Sequence, residues 1–207
     1  MAKRKDRREN EARYANLIRI ATGATPPEEP GASRDLPRPK KFRFEVLHTW
    51  MVEHLAPCRV ADVGGGKGML TYLLRQSGWE AVVIDPARQD LPGKYRASDS
   101  EERVFLGKED CVPRLDRPFA AEMARDFDLL VAMHAHGCIM AVIEAAAEYD
   151  RDALVLPCCV IEEPIVPPPG VDWLACVLEH ALDRGFRAQP FRLNFKGQNI
   201  GLYLSRP

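Results

Sequence analysis

The chain has 207 residues, of which 46% are hydrophobic and 29% charged, and its net charge is −1 at pH 7. That length suits one domain with a full-sized hydrophobic core plus an extension. The six cysteines form no C-x-x-C pair, the N-terminus lacks an apolar signal core, and no apolar stretch approaches the roughly 20 residues of a membrane span. We therefore expect a cytoplasmic protein with reduced thiols and no membrane partner, and the sequence leaves its oligomeric state open.

The N-terminal segment is basic. Residues 1–43 hold twelve Lys/Arg and six Asp/Glu, a balance of +6 that leaves −7 for the remainder. Residues 4–20 predict a charged helix, and residues 22–39, rich in Pro, Gly and Thr, predict a linker. We therefore divide the chain into a partly disordered basic arm, 1–39, and a main domain, 40–207. A basic arm on an acidic body favours a polyanionic partner, most simply RNA, and a solvated tail is the alternative.

The most informative segment lies between Val60 and Gly68. An apolar run leads into closely spaced glycines and then into a helical pattern, so the segment predicts a strand, a tight turn and a helix N-terminus. Such a turn brings a nucleotide close to the first N–H groups of the helix. The spacing lacks the G-x-G-x-x-G dinucleotide pattern, and Lys67 is followed by glycine where a P-loop needs Ser or Thr. The pattern that remains is D-x-G-x-G-x-G, formed by Asp62, Gly64, Gly66 and Gly68.

Two further acids follow predicted strands. The apolar run Glu80–Ile84 ends at Asp85, 23 residues after Asp62 and close to the offset of about 20 at which an acid binds ribose hydroxyls in related folds. An N-cap before Pro86 is the alternative for this carboxylate. After the third predicted strand, 104–106, Asp110 stands where an acceptor for an adenine amino group is expected, with a surface turn as the alternative.

The remaining pattern alternates strands and helices. We predict helices at 44–55, 67–77, 138–149 and 171–184, and strands at 127–133, 153–157, 186–193 and 199–204, the last two as an antiparallel hairpin. This order predicts an open α/β sheet, whose ligands bind beyond the carboxyl ends of the strands.

Two histidines, His134 and His136, follow the fourth predicted strand. An imidazole at that position can act as a base or orient a substrate near neutral pH, and a satisfied buried histidine is the alternative. A zinc site with Cys138, Cys158 or Cys159 is a weaker interpretation, because the spacing is not a recognised one and adjacent cysteines rarely chelate together. We therefore expect no metal.

The D-x-G-x-G-x-G segment resembles motif I of the class I S-adenosylmethionine (SAM)-dependent methyltransferases. The resemblance extends over about residues 40–206. It implies a Rossmann-like, seven-stranded sheet of order 3-2-1-4-5-7-6 with helices on both faces. It also implies SAM as cofactor, with the glycine turn against the amino-acid end of the cofactor and Asp62 beside it; we add Asp85, Asp110 and His134 to the cofactor site.

Three short patches are similar to a subset of this family that includes the tRNA acceptor-stem 2′-O-methyltransferases. The patches are Pro39–Glu45, His134–Gly137 and Leu156–Cys159. On this resemblance we assign substrate binding to Lys40, Lys41, Glu45, Cys158 and Cys159. The sequence departs from the subset at His136, where the family has Cys, and at Phe44, where it has His, and it lacks the zinc-finger modules.

The predicted reaction is methyl transfer to RNA, with tRNA ribose 2′-O as the leading target. His134 or His136 would deprotonate or orient the hydroxyl. Exocyclic N-methylation is disfavoured because no Asp/Asn-Pro-Pro-Tyr turn follows the fourth strand. Cytosine C5 methylation would use a cysteine nucleophile near Cys158, but the matching Pro-Cys turn is missing. The alternatives are a methyltransferase for a protein or small molecule, and a non-catalytic SAM-binding partner of another enzyme.

Overall fold

The computed structural model describes residues 2–24, 38–97, 102–107 and 109–207, with the side chains of 2–7 left out. The helices are α1 Ala2–Thr22, α2 Arg43–His54, α3 Met69–Gln76, α4 Ile139–Glu148 and α5 Trp173–Asp183, with 3-10 helices at Lys40–Phe42 and Ala121–Asp126. The strands are β1 Arg59–Val63, β2 Glu80–Ile84, β3 Lys94–Arg96, β4 Arg103–Phe105, β5 Arg114–Leu115, β6 Leu129–Met133, β7 Asp152–Leu156, β8 Arg187–Arg192 and β9 Ile200–Ser205.

Seven of the strands form one sheet in the order β5-β2-β1-β6-β7-β9-β8. The first five are parallel, and β9 runs antiparallel to both of its neighbours, β7 and β8. When only the strands of this sheet are counted along the chain, the order is 3-2-1-4-5-7-6. The predicted α/β fold is therefore confirmed.

One predicted strand was wrong. The third strand of the sheet is β5, which pairs with β2 through Val83 and Arg114, whereas the run predicted at 104–106 belongs to β4. That strand pairs only with β3, as a separate two-stranded ribbon, and its Phe105 is 72% exposed. The error has a physical cause: a two-residue edge strand carries almost no periodic signal, while a short apolar run in a ribbon imitates a core strand.

The sheet is covered on both faces, which explains why its central strands are almost continuously apolar. Along β1, Val60 faces a core completed by α2 and α3, and Ala61 faces a core completed by α1, α4 and α5. This alternation follows from the two-residue period of a strand. Among the residues that the structure describes, none of the helices has both the length and the apolar character that a membrane crossing needs.

The N-terminal helix packs on the main domain. Leu17 is fully buried, the Tyr14 hydroxyl donates to the Pro190 carbonyl over 3.4 Å, and Arg13 forms an ion pair of 2.6 Å with Asp172 at the start of α5. The helix predicted over 4–20 is thus confirmed, in contact with α5 and β8. Most of the predicted linker falls at 25–37, outside the described residues, and the domain boundary after residue 39 stays a prediction.

Candidate cofactor cleft and active site

A cleft of about 680 Å³ opens beyond the carboxyl ends of β1 and β6. The glycine turn and Asp62 line one side, His134 another, and the first turn of α2 with the preceding 3-10 helix a third. Of the site residues predicted from sequence, the cleft brings together Lys41, Glu45, Asp62, Gly64, Gly66 and His134. This is the position at which open α/β sheets bind their ligands.

The glycine turn has the backbone conformation that glycine allows. Gly64 and Gly66 have φ angles of +66° and +54°. A Cβ on Gly64 would lie 2.6 Å from the Cβ of Ala135, so close packing forbids a side chain there. A Cβ on Gly66 would have its nearest neighbour, Gln89 Nε2, 4.0 Å away, so the protein leaves that face of the turn uncovered. Gly68 is the residue before α3, whose first turn receives no side-chain cap.

Asp62 is a buried acid at the base of the cleft. Its side chain is 2% exposed, and one carboxylate oxygen accepts a 2.8 Å hydrogen bond from the Thr71 hydroxyl. Burial raises the pKa of Asp62 to about 6, although the bonds from Thr71 oppose that shift. Near neutral pH the side chain is an ionised acceptor in a site of low solvent access.

Asp85 and Arg114 fix the glycine turn from the next two strands. The Asp85 carboxylate accepts from the Gly66 N–H over 2.9 Å and from the Ala87 N–H over 2.8 Å. The Arg114 guanidinium donates to the Gly66 carbonyl over 2.8 Å and to the Ala87 carbonyl over 3.2 Å. A carboxylate has acceptor sites left after two such bonds, so the ribose role of Asp85 stays a prediction.

Arg114 is a residue of the candidate site that sequence reasoning missed. It lies on the edge strand β5, whereas the sequence predicted the third strand at 104–106. The available signal was an arginine inside a short apolar segment, Cys111–Leu115. Its contacts to both sides of the turn make it the side chain that joins the ends of β1 and β2 to the edge of the sheet.

Asp110 lies outside the main cleft. It lines a neighbouring cavity of about 520 Å³ and accepts a 2.7 Å hydrogen bond from the Gly107 N–H. Because β5 is the third strand, the acid that follows that strand is Asp116, which contacts Arg114 over 3.0 Å. The two cavities share Gln89, and the adenine role of Asp110 stays a prediction.

His134 ends β6 in a strained conformation, with a φ angle of +57°. Its ring nitrogens are buried and have no hydrogen-bond partner among the described residues, and the ring meets Phe195 edge to face at 6.3 Å. Burial, followed by the charges of Lys40 and Arg43, lowers the pKa of His134 to about 4. The imidazole is therefore neutral at pH 7 and keeps both a lone pair and an N–H for a ligand.

Glu45 is a second unsatisfied polar group in the same cleft. It is 7% exposed, and its Oε2 atom is buried without a hydrogen-bond partner within the described part of the chain. Burial raises the pKa of this carboxyl above its usual value. Buried polar atoms are nearly always bonded, so an unsatisfied one calls for an explanation such as a catalytic role or a bound ligand. Glu45 and His134 are thus prepared to contact a ligand.

The mouth of the cleft is cationic and aromatic. Six basic side chains line it: Lys41, Arg43, Lys67, Lys94, Arg96 and Arg103. The acids of the lining are Glu45 and Asp62, both buried. Phe42, Phe44 and Tyr95 contribute aromatic surface. The outer rim therefore suits a polyanion, and the buried base suits a ligand with hydrogen-bond donors.

Several predicted residues lie elsewhere. His136 is exposed, and it lies near Cys158 and Cys159 in the loops after β6 and β7, not on the described lining of the cleft. Lys40 precedes the lining segment, and its charge acts on His134. Substrate binding by Lys40 and by the two cysteines stays a prediction.

In comparisons with known proteins, no family model and no curated protein matches the chain. Several solved structures match the chain. The precorrin-6y C5,15-methyltransferase from Geobacter metallireducens GS-15 matches with 9% identity and a TM-score of 0.50 over 86% of this chain and 94% of its own. The ribosomal protein L11 methylase from Lactobacillus delbrueckii subsp. bulgaricus matches with 17% identity and a TM-score of 0.49, over 87% and 91%. The magnesium protoporphyrin IX methyltransferase from Synechocystis PCC 6803, with bound SAM, matches with 15% identity and a TM-score of 0.46, over 80% and 79%.

The strand order and the similarity to the precorrin enzyme both identify the fold of this chain. The chain has the fold of the class I SAM-dependent methyltransferases, and the resemblance drawn from motif I is confirmed at the level of the fold.

Proposed function

We propose that the protein is a SAM-dependent methyltransferase whose substrate is RNA, with tRNA ribose 2′-O as the leading target. One observation carries the proposal. A glycine turn of the motif I type and two unsatisfied buried polar side chains, Glu45 and His134, share a cleft whose mouth carries six cationic residues.

The cofactor would be held at the base of the cleft. The uncovered backbone at Gly66 allows close approach, Asp62 provides a buried anionic acceptor, and Asp85 holds the turn in place beside a predicted ribose site. SAM supplies an electrophilic methyl group on a sulfonium sulfur. The residues present suit such a cationic, donor-rich ligand, because the buried groups that line the base of the cleft are acceptors.

His134 is positioned to act on the group that accepts the methyl. Its buried ring nitrogens have no partner in the described residues, so they are free to form a hydrogen bond with a hydroxyl that enters the cleft. A neutral imidazole accepts the hydroxyl hydrogen and orients the oxygen, and it can take the proton that the reaction releases. A neutral ring also avoids repulsion by the cationic cofactor.

The mouth of the cleft supports an RNA substrate. On the β3–β4 ribbon, Arg96 and Arg103 stand directly opposite each other in the register. Two neighbouring guanidinium groups suit the oxygens of a phosphate group. The neighbouring aromatic side chains, including Tyr95, offer surfaces on which unpaired bases stack. We also propose the cytoplasm as the location, an expectation that comes from the cysteine pattern alone.

The test is methyl transfer from radiolabelled SAM by the purified chain to fractionated cell extract. We expect label that ribonuclease removes and protease leaves, followed by a 2′-O-methylated nucleoside in the mass spectrum of digested RNA. The His134→Asn variant serves as the matched control for background transfer. Label that resists ribonuclease would move the assignment to a protein or small-molecule substrate, and SAM binding without any transfer would favour a non-catalytic partner role.

A further inference from the structure

The loops that follow β6 and β7 bring three metal-binding side chains together. His136 comes from the first loop, and Cys158 and Cys159 from the second. The ligating atoms of all three lie within 4.8 Å of one another, and the two sulfurs are 3.5 Å apart. The cysteines are partly buried and the histidine is exposed.

The spacing of these atoms is close to that of a tetrahedral zinc site. Zinc binds thiolate at about 2.3 Å and imidazole at about 2.0–2.1 Å, so two ligands of one ion lie roughly 3.4–3.8 Å apart. The two sulfurs already have that separation. An approach of about 1 Å by the exposed imidazole would complete the set.

The backbone around the cluster is held on several sides. β6 and β7 pair in register up to Met133 and Leu156, and the His134 N–H donates to the Leu156 carbonyl over 3.2 Å. Farther along, the Gly137 N–H donates to the Ile161 carbonyl over 3.2 Å. The loops are thus joined before and after the three side chains, and such preorganisation lowers the entropy cost of binding an ion.

Glu163 adds a further connection between the loops. Its buried carboxylate accepts hydrogen bonds from the Ile139 N–H over 2.9 Å and the Met140 N–H over 3.1 Å, at the start of α4. This carboxylate satisfies the N-terminus of that helix, so it is engaged in the fold and is not a fourth ligand. An ion held by the three side chains would retain a position for water, as in zinc sites with three protein ligands.

We propose that His136, Cys158 and Cys159, in the loops that follow β6 and β7, form a binding site for a thiophilic divalent cation of the zinc type. This site replaces the expectation of no metal, which rested on sequence spacing and on the rarity of chelation by two adjacent cysteines. The fold supplies what spacing did not show, because parallel pairing of β6 with β7 places two separate loops side by side. The site does not depend on the proposed methyl transfer.

The test uses the full chain, reduced, stripped with a chelator and titrated with Co²⁺ as the probe. We expect one ion per chain, a thiolate-to-cobalt charge-transfer band in the near ultraviolet, and displacement of that band by Zn²⁺. Cys158→Ser and Cys159→Ser should each abolish the band, and His136→Asn should weaken binding at least about tenfold. Cys176→Ser, a control on α5, should bind as the unaltered chain does.

Circular dichroism of each variant checks that the fold is retained. No band in the reduced chain, or an equal band in Cys158→Ser, would overturn the site. A Cys158–Cys159 disulfide that forms in preference to metal binding, detected as a loss of two hydrogens by mass spectrometry in the presence of Co²⁺, would overturn it as well.

Discussion

The base and the mouth of the cleft are built in different ways. The base consists of the backbone of the glycine turn and the buried acid Asp62 at the end of β1, and Asp85 and Arg114 fix that turn through hydrogen bonds. The mouth consists of long, mostly charged side chains on the β3–β4 ribbon, on the segment 41–44 and at Lys67. A base made of main chain is set by the sheet and suits one cofactor, whereas a mouth made of side chains can change with the substrate without disturbing the fold.

Gly66→Val should give the largest difference between the effect on SAM affinity at the base and the effect on RNA affinity at the mouth. A β-branched residue strongly disfavours the φ of +54°, and its side chain would occupy the uncovered face of the turn. We expect SAM affinity to fall at least about a hundredfold by calorimetry, which corresponds to about 2.7 kcal/mol. RNA affinity in a filter-binding assay should stay within about threefold, because the cations at the mouth are untouched. Retained SAM affinity would show that the pocket is misassigned.

His134→Asn tests whether the side chain between base and mouth acts in the reaction or in binding. Asparagine tolerates the left-handed backbone conformation at this position, so the fold should survive the change. Loss of the imidazole should lower kcat by roughly 10²–10⁴, the usual range for a general acid or base. SAM and RNA affinities should hold within about threefold. A fall in SAM affinity with an unchanged kcat would assign His134 to the cofactor instead.

Asp62→Asn should reveal the cost of the buried charge at the base. The pKa of Asp62 rises from 3.8 to about 6 on folding, so stability falls as the pH rises between these values and stays lower above them. The variant keeps an acceptor for Thr71 and removes the ionisation. We expect its free energy of unfolding to exceed that of the unaltered chain by up to about 3 kcal/mol at pH 7.5 and to match it near pH 3.

Urea unfolding without SAM at several pH values measures this difference. SAM affinity should move in the opposite direction at neutral pH, because the variant lacks the anionic acceptor. A less stable variant at pH 7.5 would show that the carboxylate is held by favourable contacts that outweigh its burial.

Much of the base followed from the sequence, and little of the mouth did. The glycine turn and Asp62 were found because close packing and positive φ angles leave few alternatives at those positions. The mouth was missed because β3 and β4 are short and half exposed, so Arg96 and Arg103 carry no periodic pattern. Arg114 was missed for the related reason that a two-residue strand is set by pairing with β2, not by its own sequence.

Charge reversal of the ribbon should affect the mouth alone. Lys94 and Arg103 are exposed and line the cleft, so Lys94→Glu with Arg103→Glu should leave the fold and SAM affinity unchanged. RNA affinity should fall about tenfold or more, and the slope of log affinity against log salt should lessen by about 0.7 per lost phosphate contact. Arg187→Glu, an exposed change at the start of β8, is the control. An equal loss for each reversed charge in the control would indicate an effect of net charge, not of a specific surface.

The smallest effect should come from the basic start of α1. Asn10 donates to Asn199 over 3.1 Å and Arg13 to Gln198 over 3.1 Å, which fixes the helix beside the loop that carries Phe195 to His134. The preceding helical turns carry Lys3, Arg4, Lys5, Arg7 and Arg8 in their sequence.

Glutamine at those five positions should lower RNA affinity a few-fold at low salt and spare SAM binding, as expected for steering by positive charge. Deletion of residues 1–39 is the poorer experiment, because it also removes the fully buried Leu17 and exposes the surface of α5 and β8 that the helix covers. Unaltered RNA affinity in the five-glutamine variant would confine RNA binding to the ribbon and the segment before α2.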